Sequence, residues 1–397
     1  MPDFGAALFF DARDVVGESL VWDEARARLV WVDIIGRRIH RLDPLSGVHE
    51  SWPTPDLVTS IGLRKDGGAI VGLRKEIALW DFGGPYRTFA TIEADRQGNR
   101  LNEGVVAPDG SFWVGTMANN IGPDDAPMTI TGDEGRLYRV DADGKATSLS
   151  EDRFGITNTM VWLPGGRFVT ADTTKNALYS YAWDKEAARL GERLVFLADF
   201  PRGLPDGSCL DAEGYVWNCR VVGGSCLARI APDGRLDRIV ELPCSWPTSC
   251  AFGGIGLDTL FVTSARFTMS AEHLAANPFE GGLFAIKPGV RGVPANRFGG
   301  SFVGRGRFQS AKLRVPPLAR MPALGWIDQS QAQGRRSQRG ARWSRLRPGQ
   351  HRTWMTARPS ATASASACRA AATAPCCFMR ARSAVSTKRG CCKSSTW

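Results

Sequence analysis

Several turns in this chain place oxygen-bearing side chains at one common distance from the start of a strand. Counting back eight residues from the last glycine of APDG (107–110), LPGG (163–166) and DAEG (211–214) reaches Asn102, Asn158 and Asp206. The same count from Gly67 reaches Thr59, the turn before LVWVD leads back to Glu18, and a longer turn near the end leads to Thr248 or Ser249. No histidine or thiol falls in this register. A set of carboxylate, amide and hydroxyl oxygens suits a hard divalent cation, Ca²⁺ or Mg²⁺ with Mn²⁺ as a further candidate. The competing reading takes each position as a turn or capping residue, a common role for Asn, Asp and Thr at strand entrances. Glu18 resists that reading, because Glu is a poor turn former and here precedes the apolar SLVW.

For such positions to meet, the chain must bring distant strand entrances to one axis. Six β-rich runs each pass a short turn and return, at 28–47, 68–84, 110–144, 166–184, 214–234 and 258–289. Each is rich in Val, Phe, Trp, Tyr and Leu and is punctuated by Gly, Asp and Pro. Antiparallel units repeating at this spacing predict an all-β fold, a six-bladed β-propeller, whose innermost strands line a central channel. The strand-like GAALFFDAR (5–13) is expected to pair with the last unit and close the ring. SAEHLAANP (270–278) is expected to form one short helix. Trp31, Trp113, Trp162 and Trp217 recur at similar places in the units, which makes them inter-blade core rather than ligand-stacking platforms.

The propeller is expected over 1–298, and a basic low-complexity tail, expected to be disordered, over 299–397. The whole chain of 397 residues carries a formal charge of +10, but 19 of its 50 Lys and Arg lie in 301–397 beside a single acid, Asp328. The body is therefore mildly acidic, and the overall charge gives no ground for nucleic-acid binding by it. The tail could be an RNA-binding arm; the preferred reading is a disordered appendage, as from an out-of-frame extension, since its composition buries too little apolar surface to fold. The body cysteines Cys209, Cys219, Cys226, Cys244 and Cys250 match no zinc spacing and are expected to be free thiols packed in strands. With no signal-peptide pattern after Met1 and no apolar run of membrane length, the expectation is a cytoplasmic protein that does not engage a membrane.

At these residues the sequence resembles the regucalcin/gluconolactonase (senescence marker protein) family of sugar lactonases. The matching stretches are GESLVW (17–22), NRLNEG (99–104), ITNTMVW (156–162), LPDGSCLDAEGYVWNC (204–219), PTSCAFGG with LFVTSAR (247–266), and SAEHLAANPFEGGLFAI (270–286). They cover about 12–298 in order; the tail has no counterpart. The resemblance implies that Glu18, Asn158 and Asp206 bind one divalent metal (Ca²⁺, Mg²⁺, Mn²⁺ or Zn²⁺) and that Arg100 and Asn102 contact substrate. The sequence departs from the family pattern at Ser19-Leu20 (Gly-Pro in the family), Glu103 (Asp) and Thr159 (Gly). These departures bear on the shape of the cavity and leave the implied ligands intact.

The expected chemistry is hydrolysis of an aldonolactone, a carboxylic ester, with a metal polarising the carbonyl and Asp206 activating water. Asp206 as a ligand only remains open, as does a non-catalytic calcium-binding propeller. A lactonase-like propeller acting on organophosphates or fatty lactones is the more distant alternative, since Arg100 and Asn102 make a polar mouth. The partner is then a small-molecule sugar lactone, and the protein a monomer or small homo-oligomer. Asp172 reads as a turn former or as a support to the site. Asp125, Asp133 and Glu134 lie in the insert 118–135, either a lid over the channel or a solvated acidic loop. His40, His49 and His273 are expected to pack or to be solvated.

Overall fold

The computed structural model describes residues 5–299, and the tail from 300 onward lies outside the described residues. Six sheets share one plan. Their innermost strands are Gly17–Asp23, Val58–Arg64, Asn99–Val106, Thr157–Trp162, Leu204–Leu210 and Pro247–Gly253, and we number the blades 1 to 6 in that order. The second strand of each blade is covered by neighbouring blades on both faces. Ala69–Leu73 is buried throughout and reads as an apolar run without polar alternation, whereas Val216–Val221, equally buried, alternates with the polar Asn218 and Arg220. Outermost strands such as His49–Pro53 are largely exposed and polar.

Ala7–Phe10 pairs antiparallel with Leu283–Ile286 and completes blade 6, as its sequence suggested. One feature was not expected. The segment after the last blade crosses the exit face of the ring and ends in Arg297–Phe298, which pairs in parallel with Leu63–Arg64 of blade 2. On the way it accepts a hydrogen bond from Ala212 of blade 5, and Gly292 donates to Leu257 of blade 6. Beyond the crossing, Arg297 bonds Asp23 of blade 1 and Gly299 donates to Gly110 of blade 3.

Trp31, Trp113 and Trp217 are fully buried between blades, each with its indole N–H satisfied: by Asp14 at 2.7 Å, Ser111 at 3.0 Å and Asp211 at 2.9 Å. Trp162 packs on Trp113 but also borders the channel. The DAEG turn is the hairpin turn it resembled, and more. Buried Asp211 accepts from Glu213 N, Tyr215 N and Trp217 Nε1 and pairs with buried Arg229 at 2.7 Å. His40 stacks on Trp31, and the short helix forms at Ala271–Ala276 with Ser270 as its N-cap. Among the described residues no helix is long and apolar enough to cross a membrane.

Candidate active site

Every innermost strand breaks register with its neighbour at the same level. The shifts fall between Glu18 and Val21, Val58 and Ser60, Leu101 and Gly104, Asn158 and Met160, Pro205 and Ser208, and Pro247 and Cys250. A bulge re-aims side chains that strict alternation would send to opposite faces. Its backbone cost is visible in blades 1 and 4, where Ser19 and Thr159 sit at φ 51° and 52°, the left-handed region that favours glycine. Their hydroxyls bridge to the next blade: Ser19 Oγ accepts from Ile61 N at 2.9 Å, and Thr159 Oγ1 donates to the Asp206 carbonyl. The two departures from the glycine pattern thus keep the backbone shape and add cross-blade bonds.

The side chains presented at this level form two connected groups. Glu18 and Asp206, from blades 1 and 5, are buried, and their carboxyl groups lie within hydrogen-bond reach of each other. Burial raises both carboxyls well above their ordinary range; the Asp206 and Glu103 charges add to the shift of Glu18, and that of Glu103 to the shift of Asp206. Glu103 itself is pushed up to about 7 by burial. In the second group, Arg100 donates to Asn102 Oδ1 at 2.8 Å, and Asn102 donates to Asn158 Oδ1 at 3.2 Å. Asn158 donates to Thr173 Oγ1 at 2.9 Å, and Thr173 donates to the Pro205 carbonyl beside Asp206. Burial lowers the Arg100 guanidinium to about 10, with Arg74 adding to the effect, and neutral oxygens of Asn102, Asn120 and Leu101 hold it.

The six-membered ring read from the register does not survive whole. Thr59 Oγ1 donates to Gly72 O at 3.4 Å, and Thr248 Oγ1 bonds Gly17 O and Thr263, while Ser249, the alternative in blade 6, accepts from Leu20 N at 3.2 Å, so all three hydroxyls bond the backbone. A threonine hydroxyl is short and can donate, so a nearby carbonyl captures it. Two contributors were missed. Glu103 joins the acidic group because the bulge turns it inward beside Asn102; strand alternation would have sent it away. Asn120, in the insert, bonds Arg100 at 2.8 Å, and only that insert's position in space reveals it. Asp172 is a turn former, accepting from Gly155, Ile156 and Thr174.

The insert reaches from blade 3 toward blade 1. Asp125 pairs with Arg37 at 2.6 Å, and buried Ile121 packs in one cluster with Ile34, Ile35 and Leu57. That favours a cover over the entrance face rather than a free acidic loop, though Asp133 pairs only with Lys175 and Glu134 with Arg96, both well exposed. On the other side of the acidic group the channel widens into a cavity of about 320 Å³, bordered by Ser19, Glu103, Ser208 and Cys209 and floored by Val293–Asn296 of the crossing segment.

The acidic group fits a cation. Two buried carboxyls in contact need either a shared proton or a positive charge between them, and the neutral oxygen of Asn158, which accepts from Asn102, belongs to the chain of bonds that ends beside Asp206. Among the described residues no three His, Cys, Asp or Glu side chains gather tightly enough to hold an ion. A cation here would therefore depend on the amide as well as the carboxylates.

Residues 16–266 match the model of the SMP-30/gluconolactonase/LRE-like region. The chain belongs to this family. It is 36% identical over 291 residues to a 6-deoxy-6-sulfogluconolactonase of Pseudomonas putida, covering 72% of this chain and 96% of that one. It is 32% identical over 289 residues to regucalcin of Gallus gallus, with 72% and 95% covered. A crystal structure of a calcium-binding protein, regucalcin, from Agrobacterium tumefaciens superposes with a TM-score of 0.69 at 28% identity, covering 75% of this chain and 98% of that one. These likenesses agree with the family expected from the motifs and with the six-bladed architecture.

Proposed function

We propose that this protein hydrolyses a sugar lactone to the open sugar acid at the entrance face of the channel, with one divalent cation held by Glu18, Asn158 and Asp206. The observation that carries the reading is the buried Glu18–Asp206 carboxyl pair on a family scaffold whose relatives include a sulfogluconolactonase. A bound divalent cation would stabilise negative charge on the lactone carbonyl oxygen and make a water molecule more acidic.

The chain's own residues do the rest. Arg100, fixed by Asn102, Asn120 and Leu101, keeps one Nη2–H to donate to a hydroxyl or carbonyl oxygen of the sugar. Asn102 shares that contact. Asp206, once ionised, accepts a proton from the attacking water at a carboxylate oxygen, a role typically contributing about 10²–10⁴-fold. The insert excludes bulk water above the site. Lactone C–O cleavage then leaves a carboxylate and a hydroxyl on one sugar acid.

A second reading, a calcium-holding propeller without turnover, draws support from the calcium-binding relative at 28% identity. Acid release from a panel of five- and six-carbon aldonolactones, with a 6-sulfonated member, separates the two. Hydrolysis that disappears with chelator and returns with Ca²⁺, Mg²⁺, Mn²⁺ or Zn²⁺ is expected. Cation binding by calorimetry without acid release from any lactone would overturn the enzymatic reading.

A further inference from the structure

Below the acidic group, three cysteines meet at the junction of blades 5 and 6. Cys209 and Cys250 lie on adjacent innermost strands with their sulfurs 3.5 Å apart. Cys219, on the second strand of blade 5, adds a third thiol within reach of Cys250. The two strands approach unusually closely here. A Cβ on Gly207 would lie 2.8 Å from Thr248 O and 3.0 Å from Ser249 Cα, so only glycine permits the spacing. Each sulfur also meets the backbone of the opposite strand, Cys250 at Cys209 and Cys209 at Phe252. Cys209 and Cys250 both border the 320 Å³ cavity, and Cys209 is only partly buried there. All five described cysteines are free thiols.

We propose that Cys209 and Cys250 form a dithiol site for hydrogen peroxide, closing to a disulfide that ties blade 5 to blade 6 inside the channel. The sulfurs need to approach from 3.5 Å to about 2.05 Å, a shift within the reach of two side-chain rotations. In the first step the Cys250 thiolate attacks one peroxide oxygen, the O–O bond breaks, and the hydroxide released takes up the thiol proton as water. Cys250 then carries a sulfenic acid. In the second step Cys209 sulfur attacks the sulfenic sulfur, the S–O bond breaks, and a second water leaves with the Cys209 proton. Two thiols are oxidised by two electrons and one peroxide is reduced to two waters. Cys250 borders the cavity through which peroxide would arrive, and the thiols of Cys209 and Cys219 donate toward its sulfur, which favours its thiolate against the cost of burial. Cys226 and Cys244 are buried and are assigned no part in it.

The test treats the full chain with hydrogen peroxide and maps the peptides by tandem mass spectrometry. The expected product joins Cys209 to Cys250, two hydrogens lighter than the separate peptides, and reverts with dithiothreitol. Cys219→Ser should still form it. Cys209→Ala and Cys250→Ser, checked by circular dichroism for an intact fold, should each abolish it; Cys209→Ala should leave a sulfenic acid on Cys250, trapped by dimedone. A Cys209–Cys219 link, or dimedone labelling confined to other cysteines, would overturn the proposal. So would full recovery of both thiols after peroxide concentrations that oxidise a free cysteine in solution.

Discussion

Blades 1 and 5 differ from blades 2 and 6 at one position only a few atoms in size. All four carry the same bulge at the same level of the channel. In blades 1 and 5 that level holds Glu18 and Asp206, whose carboxyl groups meet across the ring. In blades 2 and 6 it holds Thr59 and Thr248, whose hydroxyls turn back onto carbonyl groups. The backbone device is common to the whole ring, whereas the site is local. An acceptor-only side chain cannot bond a carbonyl and so must look elsewhere for a proton or a cation.

The sharpest way to break this comparison is to remove the acid. Asp206→Asn keeps the shape and is expected to lower lactone turnover by about 10²–10⁴-fold while the melting temperature holds or rises; an unchanged kcat would end its assignment as base. Arg100→Lys comes next. Loss of the guanidinium that Asn102 and Asn120 hold in place is expected to raise KM about tenfold or more, with a smaller change in kcat, read from initial rates.

A subtler effect concerns pH. Glu103 stands at about 7 in the fold against an ordinary 4.5. A carboxyl raised on folding contributes stability that is complete below its unfolded pKa and is lost as pH rises through the folded one. In cation-free protein the melting temperature should therefore carry a falling component between pH 4.5 and about 7. Glu103→Gln should remove that component, seen as a shallower slope in scanning calorimetry, and added divalent cation should flatten the wild-type curve. The smallest effect belongs to the threonines. Thr59→Val deletes one weak bond and is expected to leave activity within about threefold and stability within about 1.5 kcal/mol. A loss matching that of Asp206→Asn would erase the distinction between the two kinds of blade.

Much of this arrangement could be read from residue order. Strands buried on both faces, such as Ala69–Leu73, announce themselves as apolar runs; turn glycines set a count that led to Asn102, Asn158 and Asp206, and the turn before LVWVD led to Glu18. What escaped has a physical cause in each case. Glu103 follows Asn102 directly, and the alternation that finds strands also predicts that such neighbours diverge; the bulge defeats the rule. Asn120 lies in an insert whose course depends on Ile121 finding the apolar patch of Ile34 and Ile35 across the face. Arg297–Phe298 is a strand of two residues in a Gly- and Pro-rich stretch, with no period to detect.

That late strand carries a consequence for how the molecule is made. Blade 6 borrows its outer strand from Ala7–Phe10, and the crossing segment fastens five of the six blades only when 291–299 arrive. During synthesis the first five blades must therefore wait as an open arc with two unsealed edges. Contacts so distant in sequence close slowly. A ribosome stall before about position 286 would leave a fragment with an unpaired sheet edge exposed, so translation speed over the final blade should matter more to yield than speed over any earlier one.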